Sequence, residues 1–145
     1  MSTLRTRSLR AVLVALVVLA GTPGCWRSTP SGQGDVRVAD ITLGRGVASD
    51  GTLAEDAQTS SFWVNDTIYV EVATDGAAPS ATLMARWTYQ DGTVAAEATK
   101  TITLSGAMRT VLQASPSPEL WKPGDYKVEI FLDGASAGTK ELSTR

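Results

Sequence analysis

Apolar residues fall into two regimes along the 145-residue chain. Residues 11–20 read AVLVALVVLA, ten apolar positions without a break. After residue 35 the pattern changes to short alternating stretches separated by turn residues. In TIYVEVAT (67–74), Ile68, Val70 and Val72 share one face while Tyr69 and Glu71 share the other. In ATLMARWTY (81–89), Leu83, Ala85 and Trp87 face one way and Met84, Arg86 and Thr88 the other. TKTITL (99–104) places Ile102 and Leu104 together, and in PGDYKVEIFLDG (123–134) Tyr126, Val128, Ile130 and Leu132 alternate inward against Lys127, Glu129 and Phe131. These twelve inward positions (Ile68, Val70, Val72, Leu83, Ala85, Trp87, Ile102, Leu104, Tyr126, Val128, Ile130, Leu132) are the predicted core.

Weaker strands are predicted over VRVADITL (36–43), RTVLQA (109–114) and the closing GTKELST, with a short one near Phe62 to Val64 inside a Gly-, Ser- and Asp-rich connection over 44–66. Asp91-Gly92 and Asp133-Gly134 signal hairpins, and a proline-containing loop runs from Ser115 to Pro123. No stretch after residue 24 carries a helical period. Seven to eight strands with regular turn signals predict an all-β, antiparallel sandwich over residues 36–145. A domain of that size buries enough surface to stand without disulfides.

The leading segment reads differently. Arg5, Arg7 and Arg10 precede the apolar run, and small residues with a proline follow it. That order is the layout of an export signal, and ten apolar residues fall short of the about 20 that a spanning helix needs. Residues 1–24 are therefore expected to be a signal peptide. Cys25 is the only cysteine, so an internal disulfide is excluded and its thiol is left for intermolecular pairing, reactivity or modification. LAGTPGC (19–25) resembles the lipobox of bacterial lipoproteins, in which the cysteine becomes the first mature residue and carries the lipid. Gly24 and Cys25 match that pattern; Thr22 and Pro23 depart from it. Residues 25–35, rich in Ser, Gly, Pro and Gln, then form a flexible tether. Trp26 stands where inner-membrane retention typically uses aspartate, so the resemblance implies an outer-membrane anchor facing the periplasm in a Gram-negative host.

The segment DTIYVEV, ARWTYQDGTV and WKPGDYKVEIFLDG resembles small lipid-anchored bacterial proteins with an immunoglobulin-like, fibronectin-III-like domain, over residues 62–142. Trp87 then fills the place of the large aromatic on the third strand, and Tyr126 that of a tyrosine corner. The resemblance implies a fold and carries over no functional residues.

Charge and residue types narrow the function. The chain has 13 basic and 15 acidic residues; Arg5, Arg7 and Arg10 leave with the signal, so the remainder holds 10 against 15 and is mildly acidic. Nucleic-acid binding, which needs a concentrated basic patch, is excluded as an expectation. Gly134-Ala135-Ser136-Ala137-Gly138 matches G-x-S-x-G, but the chain has no histidine and the setting is a hairpin, so no nucleophile is read there. Zinc lacks its usual ligands. Asp50, Glu55 and Asp56 offer oxygen atoms in SDGTLAED (49–56), without the spacing of a calcium loop, and are read as solvated. Asn65-Asp66-Thr67 matches a glycosylation acceptor that a bacterial lipoprotein would not use. No catalytic set, metal or cofactor is expected. Met84, Arg86 and Phe131, outward on neighbouring strands, form a candidate partner patch. The expectation is a non-enzymatic envelope lipoprotein, held to the membrane by a lipid on Cys25. Its domain binds or supports an envelope protein or glycan. The alternatives are a secreted binding or inhibitor domain and a structural accessory of an envelope complex.

Overall fold

The computed structural model describes residues 35–145; residues 1–34, with the expected signal, Cys25 and nearly all of the tether, lie outside the described residues. The domain is a sandwich of eight strands. They are β1 (Arg37–Gly44), β2 (Ser61–Phe62), β3 (Ile68–Asp75), β4 (Ala77–Tyr89), β5 (Val94–Ser105), β6 (Met108–Ala114), β7 (Gly124–Leu132) and β8 (Ala135–Thr144). One sheet has the order β1-β3-β6 and the other β2-β8-β7-β4-β5. All pairs are antiparallel except β2 with β8, a two-residue parallel pairing of Ser61 with Ser143 and Phe62 with Thr144.

That order is immunoglobulin-like. The first, second and fifth main strands (β1, β3, β6) make one sheet, and β4, β5, β7 and β8 make the facing one, as strands A, B, E and C, C′, F, G do. The tyrosine corner is present. The Tyr126 hydroxyl donates to the Lys122 carbonyl at 3.0 Å and accepts the Lys122 N–H at 2.9 Å. Two residues on, where disulfide-bonded relatives of this fold place a cysteine, stands Val128, fully buried and paired across the ladder with Trp87. Apolar packing replaces the covalent link. Tyr126→Phe is expected to lower stability by about 1–1.5 kcal/mol, because it strands the Lys122 N–H and removes one of the two hydrogen bonds to the Lys122 carbonyl, the other coming from the Thr144 hydroxyl. Thermal unfolding followed by near-ultraviolet circular dichroism reads that as a fall of several degrees.

The strongly alternating strands bury the residues their pattern predicted. Leu132 is the exception: it is only half-buried, at the strand end beyond an irregularity in the β7–β8 register at Ile130/Phe131. The core also takes residues that weak alternation hid, among them Ile41, Leu43, Phe62, Leu112, Trp121 and Leu142. Both Asp-Gly signals are turns. Asp133 and Gly134 have φ of 49° and 84°, as a two-residue type I′ hairpin requires. Gly92, with φ 88°, lies in the four-residue loop 90–93 between β4 and β5, which the Tyr89 N–H closes by donating to the Thr93 carbonyl. The G-x-S-x-G match therefore begins in a hairpin, and the Ser136 hydroxyl donates to Glu129 at 2.6 Å.

Glu71 corrects the reading of β3. It points to the outer face, as the alternation requires, yet it is only 3% exposed. The 45–60 connection, with a 3₁₀ turn at Glu55–Ala57, folds over it. One carboxylate oxygen accepts the Leu53 N–H at 2.8 Å, and the other accepts Arg109 Nη1 at 2.6 Å. Leu53 is buried against Gly44, where a Cβ would stand 2.8 Å from both Leu53 Cδ1 and the Ala57 carbonyl. The connection is a strap fastened to the outside of the smaller sheet.

Candidate functional site

Two surfaces merit comparison. The first is the outer face of the five-stranded sheet, which carries the predicted patch. Met84 and Phe131 are direct cross-strand partners, and the Arg86 guanidinium lies 5.1 Å from the Phe131 ring centre. Arg86 also bonds Glu97 on β5 at 2.6 Å and faces Glu129 on β7. The three side chains thus meet, half-buried, on a flat ladder whose cation sits between two carboxylates. Phe131→Ala is expected to cost about 1 kcal/mol through the lost cross-strand and cation–π contacts, read as a lower urea midpoint.

The second surface lies at one pole. The described chain begins at Asp35, beside the β3–β4 turn at Gly76, and Arg37 pairs with Asp75. At the opposite end Ile68 pairs with Ala114 and Tyr89 with Tyr126. There the β4–β5 hairpin and the 115–123 loop enclose a groove of about 320 Å³. Its floor is aromatic. Tyr89 and Tyr126 lie 4.9 Å apart at a tilt of 59°, and Trp121 meets Tyr126 edge-on at 5.6 Å. The polar atoms of the floor are turned to the protein: Trp121 Nε1 donates to the Asp66 carbonyl, and the Tyr89 hydroxyl donates to the Pro123 carbonyl. Burial, as the largest influence, pushes the Tyr126 phenol above its ordinary value, so it stays a neutral donor. The floor therefore offers the groove carbon rather than hydrogen bonds.

Two aliphatic lips stand over it, Val94 at 49% and Leu120 at 61% exposure. Large apolar side chains so exposed beside a concave aromatic floor suit a partner contact. Lys122 Nζ sits 5.6 Å over the Tyr89 ring at the rim. Nearby, Trp63 is half exposed under the Arg145 guanidinium. A larger depression of about 600 Å³ on the outer sheet face shares Tyr89 and Tyr126 with the groove but lacks Trp121 and the aliphatic lips, and is otherwise lined mainly by polar side chains, including Thr88, Gln90, Lys127 and Glu141.

The other sequence candidates stay apart from both surfaces. Asp50 is fully exposed and spends its carboxylate on Thr52, whose hydroxyl and amide hold its pKa below the usual carboxylate value. Among the described residues no three His, Cys, Asp or Glu side chains converge as a metal site would require. Cys25 lies outside the described residues. The groove escaped sequence reading because its lips come from separate segments; the local signal was Leu120-Trp121 set between prolines.

No protein-family model matches the chain, and no curated protein matches it. Among solved structures, the chain is similar to an immunoglobulin-like protein from Pseudomonas aeruginosa at 15% identity and a TM-score of 0.49, covering 79% of this chain and 99% of that one. It is also similar to the CARDB domain of a Pyrococcus furiosus protein in complex with di-metal ions, at 14% identity and 0.48, covering 77% and 94%. A third is a Pseudomonas fluorescens alkylpurine DNA glycosylase bound to DNA, at 14% identity and 0.46; the chain spans 30% of its length.

Proposed function

We propose that the chain is a non-enzymatic, lipid-anchored envelope protein whose domain holds another envelope component at its far pole. The observation that carries this reading is the opposition of two ends. The described chain begins at Asp35 on one pole, and the aromatic groove with its exposed lips opens on the other. The strand between them, β4, has thirteen residues and spans about 40 Å. A lipid on Cys25 and a short tether would place the groove outermost, facing away from the anchoring leaflet, where a protein or glycan of the envelope is within reach. Trp26 after the cysteine favours the outer membrane of a Gram-negative cell.

The test is metabolic labelling with a taggable fatty acid in the native host, followed by fractionation. The wild type is expected to carry label and sediment with membranes; Cys25→Ala is expected to carry none and to leave them. Absence of label on the wild type overturns the anchor and makes the protein a soluble exported binding domain.

A further inference from the structure

We infer that the domain takes its partner by strand addition: an extended peptide segment of another protein pairs with the free edge of β5 and lowers an apolar side chain into the aromatic groove at the pole. This deepens the binding reading above and rests on it. β5 is the outermost strand of the five-stranded sheet, so one row of its N–H and C=O groups has no strand beside it among the described residues. Such an edge is a template for another chain. Its first half is lined by Ala95, Ala96 and Ala98, which do not shield the backbone, and Val94 at its start is already a lip of the groove. Main-chain pairing would supply affinity, and the groove would choose the side chain.

The same edge is guarded against its own kind. Lys100 lies in the inward register, opposite the fully buried Leu83 and in line with buried Ile102 and Leu104, yet it is exposed. An inward-pointing charge at an edge prevents sheet-to-sheet pairing of identical chains. In a β5–β5 dimer two such ammonium groups would share one seam. With Cys25 as the first mature residue, as proposed above, the leader of this chain is too short to be the occupant: nine residues lie between Cys25 and Asp35, a stretch of at most about 35 Å, against about 40 Å along β4 to the groove.

Charge completes the description of the occupant. Lys100 on β5 and Lys122 at the groove rim make no ion pair among the described residues, although Asp91 lies within electrostatic reach of Lys122 and Glu119 lines the same groove. Opposite charge on the incoming strand would answer both. The occupant is thus an extended peptide with one aliphatic or proline side chain for the groove and acidic residues beside it.

The experiment is panning of a phage-displayed random peptide library on the full-length protein in detergent, with fluorescence anisotropy on the enriched peptides. Enriched sequences are expected to combine an apolar anchor with Asp or Glu. Their affinity is expected to fall about tenfold or more in Leu120→Asp and in Lys100→Glu, and on backbone N-methylation at alternate peptide residues. Phe131→Ala should bind like the wild type. Failure to enrich peptides, equal binding by Leu120→Asp, or indifference to N-methylation overturns the inference. The assay requires no membrane, so its failure leaves the lipid anchor standing, and failure of Cys25 labelling leaves peptide binding standing.

Discussion

Trp87→Ala is expected to destabilise the domain by about 3–5 kcal/mol, a large part of the about 5–15 kcal/mol that holds a domain of this size folded. Among the described residues Trp87 is the largest fully buried side chain, and it sits on β4, an interior strand of the larger sheet, between Ala96 of β5 and Val128 of β7. Removing the indole leaves a cavity lined by residues anchored in three strands, which cannot close without breaking their registers. No disulfide ties the two sheets together, so the loss falls directly on the folding equilibrium. Urea unfolding of the wild type and the variant, monitored by far-ultraviolet circular dichroism, measures it. A shift below about 1 kcal/mol would show that the core is not organised around this side chain. Trp87→Phe separates two contributions. The indole N–H has no acceptor among the protein atoms, so the phenyl ring gives up no hydrogen bond to protein and should recover most of the stability.

Glu71→Ala is the second large expectation, and its effect is local. The substitution strands the Leu53 N–H and deprives Arg109 of its partner, at a cost of about 2–3 kcal/mol. Arg109 is well exposed and regains water, which keeps the figure below that of a fully buried pair. Because the carboxylate fastens the 45–60 strap, that segment should open more often than the sandwich unfolds. Limited trypsin digestion reads the opening, with Arg45 at the base of the strap as the expected site. Cleavage is expected to accelerate by more than tenfold in Glu71→Ala and only modestly in Glu71→Gln, whose amide oxygen can still accept the Leu53 N–H. Equal cleavage of the wild type and Glu71→Ala would show that the strap is held by Leu53 packing alone.

The sequence announced those strands whose two faces differ. Val70 and Val72, Leu83 and Trp87, and Val128 and Ile130 alternate against polar neighbours because one face of each strand packs on the core and the other meets solvent. The tyrosine corner was equally legible, since it is built within five residues from Lys122 to Tyr126. What stayed hidden depends on residues far apart. Phe62 is buried because β2 reaches β8, and Glu71 because a strap crosses it. Residues 94–98, VAAEA, favour helix by intrinsic propensity, and only pairing with β4 makes them strand. The groove has the same origin, since Val94 and Leu120 meet through two loops brought to one pole. The adjacency of Met84, Arg86 and Phe131 was readable for the opposite reason: it follows from strand parity and neighbouring strands alone.

The β2–β8 pairing also orders events in time. Ser61 meets Ser143 across 82 residues of chain, so this contact can form only after the last strand exists and a long loop has closed. Hairpins β4–β5 and β7–β8, with connections of four and two residues, close on microseconds. The sandwich as a whole belongs to the class that folds in milliseconds to seconds. A chain emerging amino end first therefore carries β2 unpaired until its final residues are delivered, while β1 can pair as soon as β3 has emerged. On the export route proposed above, the β2–β8 pairing would then be the last seam of the sandwich to close, formed only once the whole domain has been delivered.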